Sequence, residues 1–223
     1  MRRVLLLVVG FGAGGLLLLV LCISVAAQCS VSNELPSILP VDVEGTSLKA
    51  VELSVYEGPF WEDGIAEHAV DIAALVVENK GGCYISEGAV VLDWGEDRMV
   101  FELSWIPPGG KVLVLEKGRK AFCVLEQMRC YGWSSEIYPE QTGVVVVQES
   151  GGAELSFVNR TSSVIPEATV MFKHYDSQRD MYIGGITYSI TAQALQPGEI
   201  RAVTPWRYAS GYSRTICVLT NFE

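Results

Sequence analysis

The stretch IAALVVENKGGCYISEGAVVLDWGEDRMVFELSWIPPGGKVLVLE, residues 72–116, decides the fold of this chain. Runs rich in Val, Ile, Leu and Trp at 72–78, 89–94, 99–105 and 111–116 alternate with the turn residues Asn79-Lys80-Gly81-Gly82, Gly95-Glu96-Asp97 and Pro107-Pro108-Gly109. Similar runs lie outward of it, at 51–56 on one side and 122–128 on the other. Apart from one helical turn near 67–74, no run of a dozen residues keeps the 3.6-residue period of an amphipathic helix. Short, regularly spaced strands bounded by turns predict an all-β sandwich or barrel.

A second series follows, with candidate strands at 144–148, 153–158, 168–175, 182–191, 200–204 and 215–220. The two series run in the same order. In the first, an apolar strand ends at Asn79, the next ends at Trp94 fifteen residues later, and Ile106-Pro107-Pro108-Gly109 precedes a Val-rich strand. In the second, the strand ends fall at Asn159 and, sixteen residues later, at Tyr175, and Leu195-Gln196-Pro197-Gly198 precedes Glu199-Ile200. This is an internal duplication, with a longer hairpin in the second copy. Asn79 and Asn159 suit the points where a core strand leaves its sheet, because Asn tolerates turn conformations and caps nearby backbone groups. The Pro-Gly pairs end one strand and reverse the chain into the next. The expected organisation is an N-terminal segment (1–27), a polar spacer (28–47), a first β domain (48–131), a connection (132–142) and a second β domain (143–223), together a two-domain rod.

The second copy resembles the FxLYD domain, a β-sandwich module of exported bacterial proteins. Phe172-Lys173-His174-Tyr175-Asp176 matches the name motif with His174 in place of Leu, and Val158-Asn159-Arg160-Thr161, Gly184-Gly185-Ile186-Thr187 and Leu195-Gln196-Pro197-Gly198-Glu199 fall in the family's order. The resemblance covers residues 150–205. The first copy matches more loosely, through Asn79, Val91-Leu92-Asp93-Trp94 and Pro108-Gly109. The resemblance implies two tandem Ig-like β-sandwich domains in a secreted or membrane-anchored protein, and no catalytic residues.

Residues 4–27 are 24 uncharged positions, 19 of them apolar, preceded by Arg2 and Arg3. This predicts a helix with its N-terminus in the cytoplasm and the body of the protein outside. The run is long enough to span a bilayer, whereas Val25-Ala26-Ala27 offers small residues for signal peptidase, so a retained anchor and a cleaved signal peptide both fit. Lipidation at Cys29 is disfavoured by Gln28 before it. The chain carries a formal charge of −10, and residues 28–150 hold 20 acids against 8 bases. That balance excludes generic nucleic-acid binding, which needs Lys and Arg against phosphates. The partners expected are the membrane, through the N-terminal helix, and a protein or cell-envelope component. The second copy, neutral and aromatic, is the expected contact region.

Nucleophilic catalysis requires a base beside the nucleophile. The two histidines, His68 and His174, lie in unrelated contexts and have no hydrolase motif around them, so the chain reads as a non-enzyme. Trp61-Glu62-Asp63-Gly64 and Asp93-Trp94-Gly95-Glu96-Asp97 form acidic, Trp-bearing loops. As hairpin tips, their Gly and Asp supply turn geometry. As sites, Asp93, Glu96 and Asp97 are candidate Ca²⁺ ligands, and Trp61 and Trp94 candidate carbohydrate platforms. Trp206 and Tyr208 are further candidates for a ligand surface. No cofactor other than calcium is implied. Cys123 and Cys130 can pair in an oxidising exterior or serve as small core side chains. Asn159-Arg160-Thr161 matches an N-glycosylation sequon.

Overall fold

In a computed structural model the described residues are 39–62, 65–94, 97–121, 128–138, 143–148, 154–205 and 212–220. They form strands and turns, with no helix among them. The strands are β1 (Val41–Asp42), β2 (Leu48–Glu62), β3 (Ile65–Asn79), β4 (Tyr84–Asp93), β5 (Arg98–Ile106), β6 (Lys111–Leu115), β7 (Arg129–Ile137), β8 (Val144–Gln148), β9 (Leu155–Asn159), β10 (Ile165–Asp176), β11 (Met181–Leu195), β12 (Ile200–Val203) and β13 (Ser213–Thr220). The expected all-β class holds. Residues 67–74, read as a helical turn, belong instead to β3, which pairs with β2 in a long hairpin. Residues 132–137, read as a connection, continue β7 along β4. The candidate strand at 122–128 lies outside the described residues but for Met128.

The duplication is visible in the strand order. One three-stranded sheet runs β5-β4-β7 and its counterpart β11-β10-β13; the other pair runs β2-β3-β6 and β12-β9-β8. Each repeat thus places its first, second and fifth strands in one layer and its fourth, third and sixth in the other. Asn79 and Asn159, both 0% exposed, hold the same station. The Asn79 amide donates to the carbonyls of Cys83 (2.8 Å) and Ile106 (3.1 Å) and its oxygen accepts from the Gly81 N–H (2.9 Å). The Asn159 amide donates to Ser163 and Leu195, both at 2.9 Å, and its oxygen accepts from the Thr161 N–H at 2.9 Å. Each side chain therefore ties three stretches of its repeat together, satisfying main-chain groups that burial would otherwise strand. The Pro-Gly turns match as well: Gly109 (φ 69°) and Gly198 (φ 73°) occupy the left-handed region, and each donates its N–H to the carbonyl of the capping Asn.

Each repeat closes its own core. Leu75, Val77, Val90, Leu92, Phe101 and Val114 are buried between the layers of the first, and Leu155, Phe157, Val170, Phe172 and Leu195 between those of the second. Burying one such side chain contributes about 1.5–3 kcal/mol, so each core outweighs any single polar contact. In the first repeat, Ala73–Val77 and Val112–Leu115 are buried on both faces, because Val51, Tyr56, Met181 and Ile183 pack on the side away from the core. That double burial is why both stretches are continuous apolar runs with no alternation.

The long hairpin of the second repeat welds the two together. The start of β11 pairs in parallel with β6, Tyr182 beside Val112 and Ile183 beside Leu113, which joins six strands of the two repeats and β1 into one sheet of order β1-β2-β3-β6-β11-β10-β13. Tyr182 and Ile216 enter the first core. Residues 38–223 accordingly form one compact unit. Just past the parallel ladder, β11 carries a wide bulge: Phe172 faces Tyr188, but His174 faces Ile183, so Gly184-Gly185-Ile186-Thr187 arch away from β10. Lys173 lies beneath that arch at 0% exposure, its ammonium donating to the carbonyls of Gly184 (3.0 Å) and Gly185 (3.3 Å). The arch docks on β5, where the Ser104 and Thr187 hydroxyls bond at 2.8 Å. A Cβ on Gly185 would stand 2.5 Å from the Glu102 carbonyl oxygen, so only glycine allows this approach.

Candidate functional site

The acidic hairpin tip is bonded into the fold. Asp97 accepts from the Lys120 ammonium at 2.5 Å and from the Arg98 N–H at 2.9 Å. The hydrogen bond from Lys120, then that from Arg98, holds its carboxyl below the usual range. Asp93 sits in the ladder opposite Arg98 and Arg129 and accepts from the Tyr131 hydroxyl at 3.4 Å. Trp94 is partly buried against the first core. These contacts give Asp93, Trp94 and Asp97 roles in holding the β4–β5 hairpin. Glu96, Asp63, Trp206 and Tyr208 lie outside the described residues, and Trp61 and Glu62 lie in β2 with side chains that are not described. Among the described residues no group of three or more His, Cys, Asp or Glu is arranged to hold a metal ion.

His68 is exposed on β3, and His174 is half-buried on β10, edge-on to Tyr188 with ring centroids 5.5 Å apart. Within the motif Phe172-Lys173-His174-Tyr175, Phe172 fills the second core and Lys173 is enclosed, while Tyr175 lies under the Arg214 guanidinium at 4.0 Å. The bulge breaks simple alternation here, so the charged residue is the one that turns inward.

Cys83 and Cys130 are buried, Cys217 is half-buried, and all three are free. Cys130 thus serves as a small core side chain; Cys123 lies outside the described residues. Burial, with a smaller contribution from the Glu44 charge, pushes the Cys130 thiol up to about 11, and burial pushes Cys217 up to about 12. Since the thiolate is the reactive form, iodoacetamide at pH 8 should label neither cysteine in the folded chain and both after denaturation, read by peptide mapping. The sequon is closed in the same way. The Asn159 amide nitrogen is committed to two carbonyls inside the protein, so the folded chain should gain no glycan at Asn159 when treated with an oligosaccharyltransferase, as intact mass would show.

What remains open is a groove of about 630 Å³ at the junction of the repeats. Its floor is the outer face of β4 and β5, with Glu87, Glu102 and Ser104; Trp105 and Trp133 line it from β5 and β7, and Gly185–Thr187 of the β11 arch form the opposite wall. Trp133 is 53% exposed. Trp105 owes its place to a left-handed backbone, φ 43°, which makes Ser104 and Trp105 line the groove as consecutive residues between buried Leu103 and Ile106. Trp133 falls in the segment read as a connection, and Glu87, Glu102 and Trp105 lie within strands, away from the acidic turns. The signal that could have found them is the repeat alignment: β11 has the same kink at Ala194, φ 50°, so the fold itself asks for no tryptophan there.

No family model, curated protein or solved structure matches the chain.

Proposed function

We propose that this chain is a non-catalytic extracellular protein, envelope-anchored or secreted through residues 1–27, in which two tandem Ig-like β-sandwich repeats of the FxLYD kind form an interaction or scaffold module for a protein or cell-envelope component. The observation that carries the reading is the use made of its buried polar side chains. Asn79, Asn159, Glu116 and Lys173 are all enclosed, and each is hydrogen-bonded to main-chain groups at a turn, cap or bulge. Buried polar groups committed in this way hold backbone in place and do not face a substrate. The shared seven-stranded sheet adds stiffness, because the repeats cannot swing about a linker without breaking ladder bonds and a common core.

The test is photocrosslinking of the full chain in its own cells, with the crosslinker placed one position at a time at Val70, Tyr138, Ile200 and Tyr212, all exposed. A discrete adduct at a restricted set of positions, on a protein whose C-terminal tag is cut by external protease, is the expected result. No adduct at any position, or a protected tag, would overturn the reading.

A further inference from the structure

We propose that the groove between the repeats is a carbohydrate site, taking a pyranose ring against Trp133 with Trp105 beside it. This function is separate from partner scaffolding. The argument begins from the two copies of one architecture, which act as an internal control. Aligned by strand register, Ala89 in β4 pairs with Glu102 and Trp133, and its counterpart Thr169 in β10 pairs with Thr191 and Leu219. Trp105 corresponds to Ala194 across the kink. The second repeat therefore builds the same sheet with threonines, leucine and alanine where the first carries Glu102, Trp133 and Trp105. Strand pairing and twist do not account for Trp133, half exposed on the outer face, while Trp105 lines the groove and also packs partly against the first core.

The groove lies on the first repeat and is lined as well by Gly185, Ile186 and Thr187 of the arch that the second repeat lends. Trp133 and Glu102 stand two strands apart, roughly 10 Å at the usual interstrand spacing, with the small Ala89 between them. An indole half exposed beside a carboxylate, across a narrow trough, offers one apolar face and one hydrogen-bonding edge. A pyranose has the complementary surfaces: C–H faces that lie flat on an aromatic ring, and hydroxyls that both donate and accept. Glu87 and Glu102 accept, the Ser86 and Ser104 hydroxyls, whose protons go to the Ser135 and Gly185 carbonyls, can accept, and Lys117, ion-paired with Glu102, donates. A concave site with aromatic lining and a few placed polar groups is the general form of a small-ligand pocket. An apolar peptide would strip water from Glu87 and from the Glu102–Lys117 ion pair without replacing it, at a cost in desolvation.

The experiment titrates the full chain, in a sugar-free detergent, with cellotetraose, chitotetraose and mannotetraose, followed by tryptophan emission and calorimetry. At least one tetrasaccharide is expected to bind with a shift in emission. Trp133→Ala should weaken it about tenfold or more while leaving Tm unchanged, since the ring is exposed. Trp105→Ala copies the residue at Ala194 of the second repeat but gives up contacts with the first core, so it should fold with a lower Tm and bind less tightly. Trp133→Phe should keep part of the affinity. Failure of all three sugars to give heat or an emission change at millimolar concentration would overturn the proposal. So would binding that Trp133→Ala leaves unchanged, or protection of Trp133 by a protein partner alone. A null sugar titration beside position-restricted crosslinks removes this site and leaves the interaction module standing, and the converse result separates them the other way.

Discussion

Replacing Asn79 by alanine should cost the protein about 3–5 kcal/mol, because the buried Cys83 and Ile106 carbonyls, and the part-buried Pro107 carbonyl and Gly81 N–H, would lose their hydrogen bond to the side chain, at roughly 1–3 kcal/mol for each buried group. Asn159→Ala should cost a similar amount, since its bonds to the Ser163 and Leu195 carbonyls and the Thr161 N–H repeat those of Asn79 to Cys83, Ile106 and Gly81. Equilibrium unfolding in denaturant, followed by tryptophan emission, measures both. Asn79→Asp gives a sharper reading. The carboxylate still accepts from Gly81 but faces the Cys83, Ile106 and Pro107 carbonyl oxygens with no proton to donate, and burial raises its folded pKa above the unfolded value. Its stability is then greatest below the unfolded pKa and declines as pH rises through the folded one. Alanine should show no such slope. Loss of less than about 1 kcal/mol in both alanine variants would mean that these asparagines do not hold the repeats.

The second large effect is expected at Gly185. Valine there places a Cβ 2.5 Å from the Glu102 carbonyl oxygen and 3.3 Å from Val114 Cγ1, so the β11 arch must lift off β5. Overpacking of this kind costs about 1–3 kcal/mol or more, and here the strain falls beside the parallel ladder that joins the repeats. The Ser104–Thr187 hydroxyl pair would open with it. Wild type, with a shared sheet and Tyr182 and Ile216 in the first core, should unfold in a single transition. Gly185→Val should split that transition in two, the second core of Phe157, Val170 and Phe172 melting separately from the first. A calorimetric scan decides it, and a single unshifted transition would show that the arch does not couple the repeats.

These two sites differ in how far they could be read from sequence. Asn79 and Asn159 are legible because a cap is a local device: the asparagine, the turn residues after it and the Pro-Gly pair downstream all lie in recognisable order, and the order occurs twice. Strands such as β8 could be placed to the residue, because apolar runs between turns carry their own boundaries. β7 was not legible. Gly132-Trp133-Ser134-Ser135 has no alternation, since one of its faces is open and Gly132 lies so close to the Ala89 carbonyl that a Cβ would come within 2.2 Å. The burial of Lys173 was not legible for a related reason: only the bulge that brings two carbonyls over its ammonium makes it tolerable.

By itself, then, the sequence determined the all-β class, the duplication and the caps and turns that close each copy, because those depend on residue type and near-neighbour spacing. The tertiary structure decided what the copies make together. The pairing of β6 with β11, the fit of Gly185 on Glu102 and the groove that sets Trp133 and Trp105 against the arch all join residues from about fifty to eighty positions apart in the chain. Such contacts follow from the shape two folded surfaces present to each other, and periodicity along one strand carries no record of that shape.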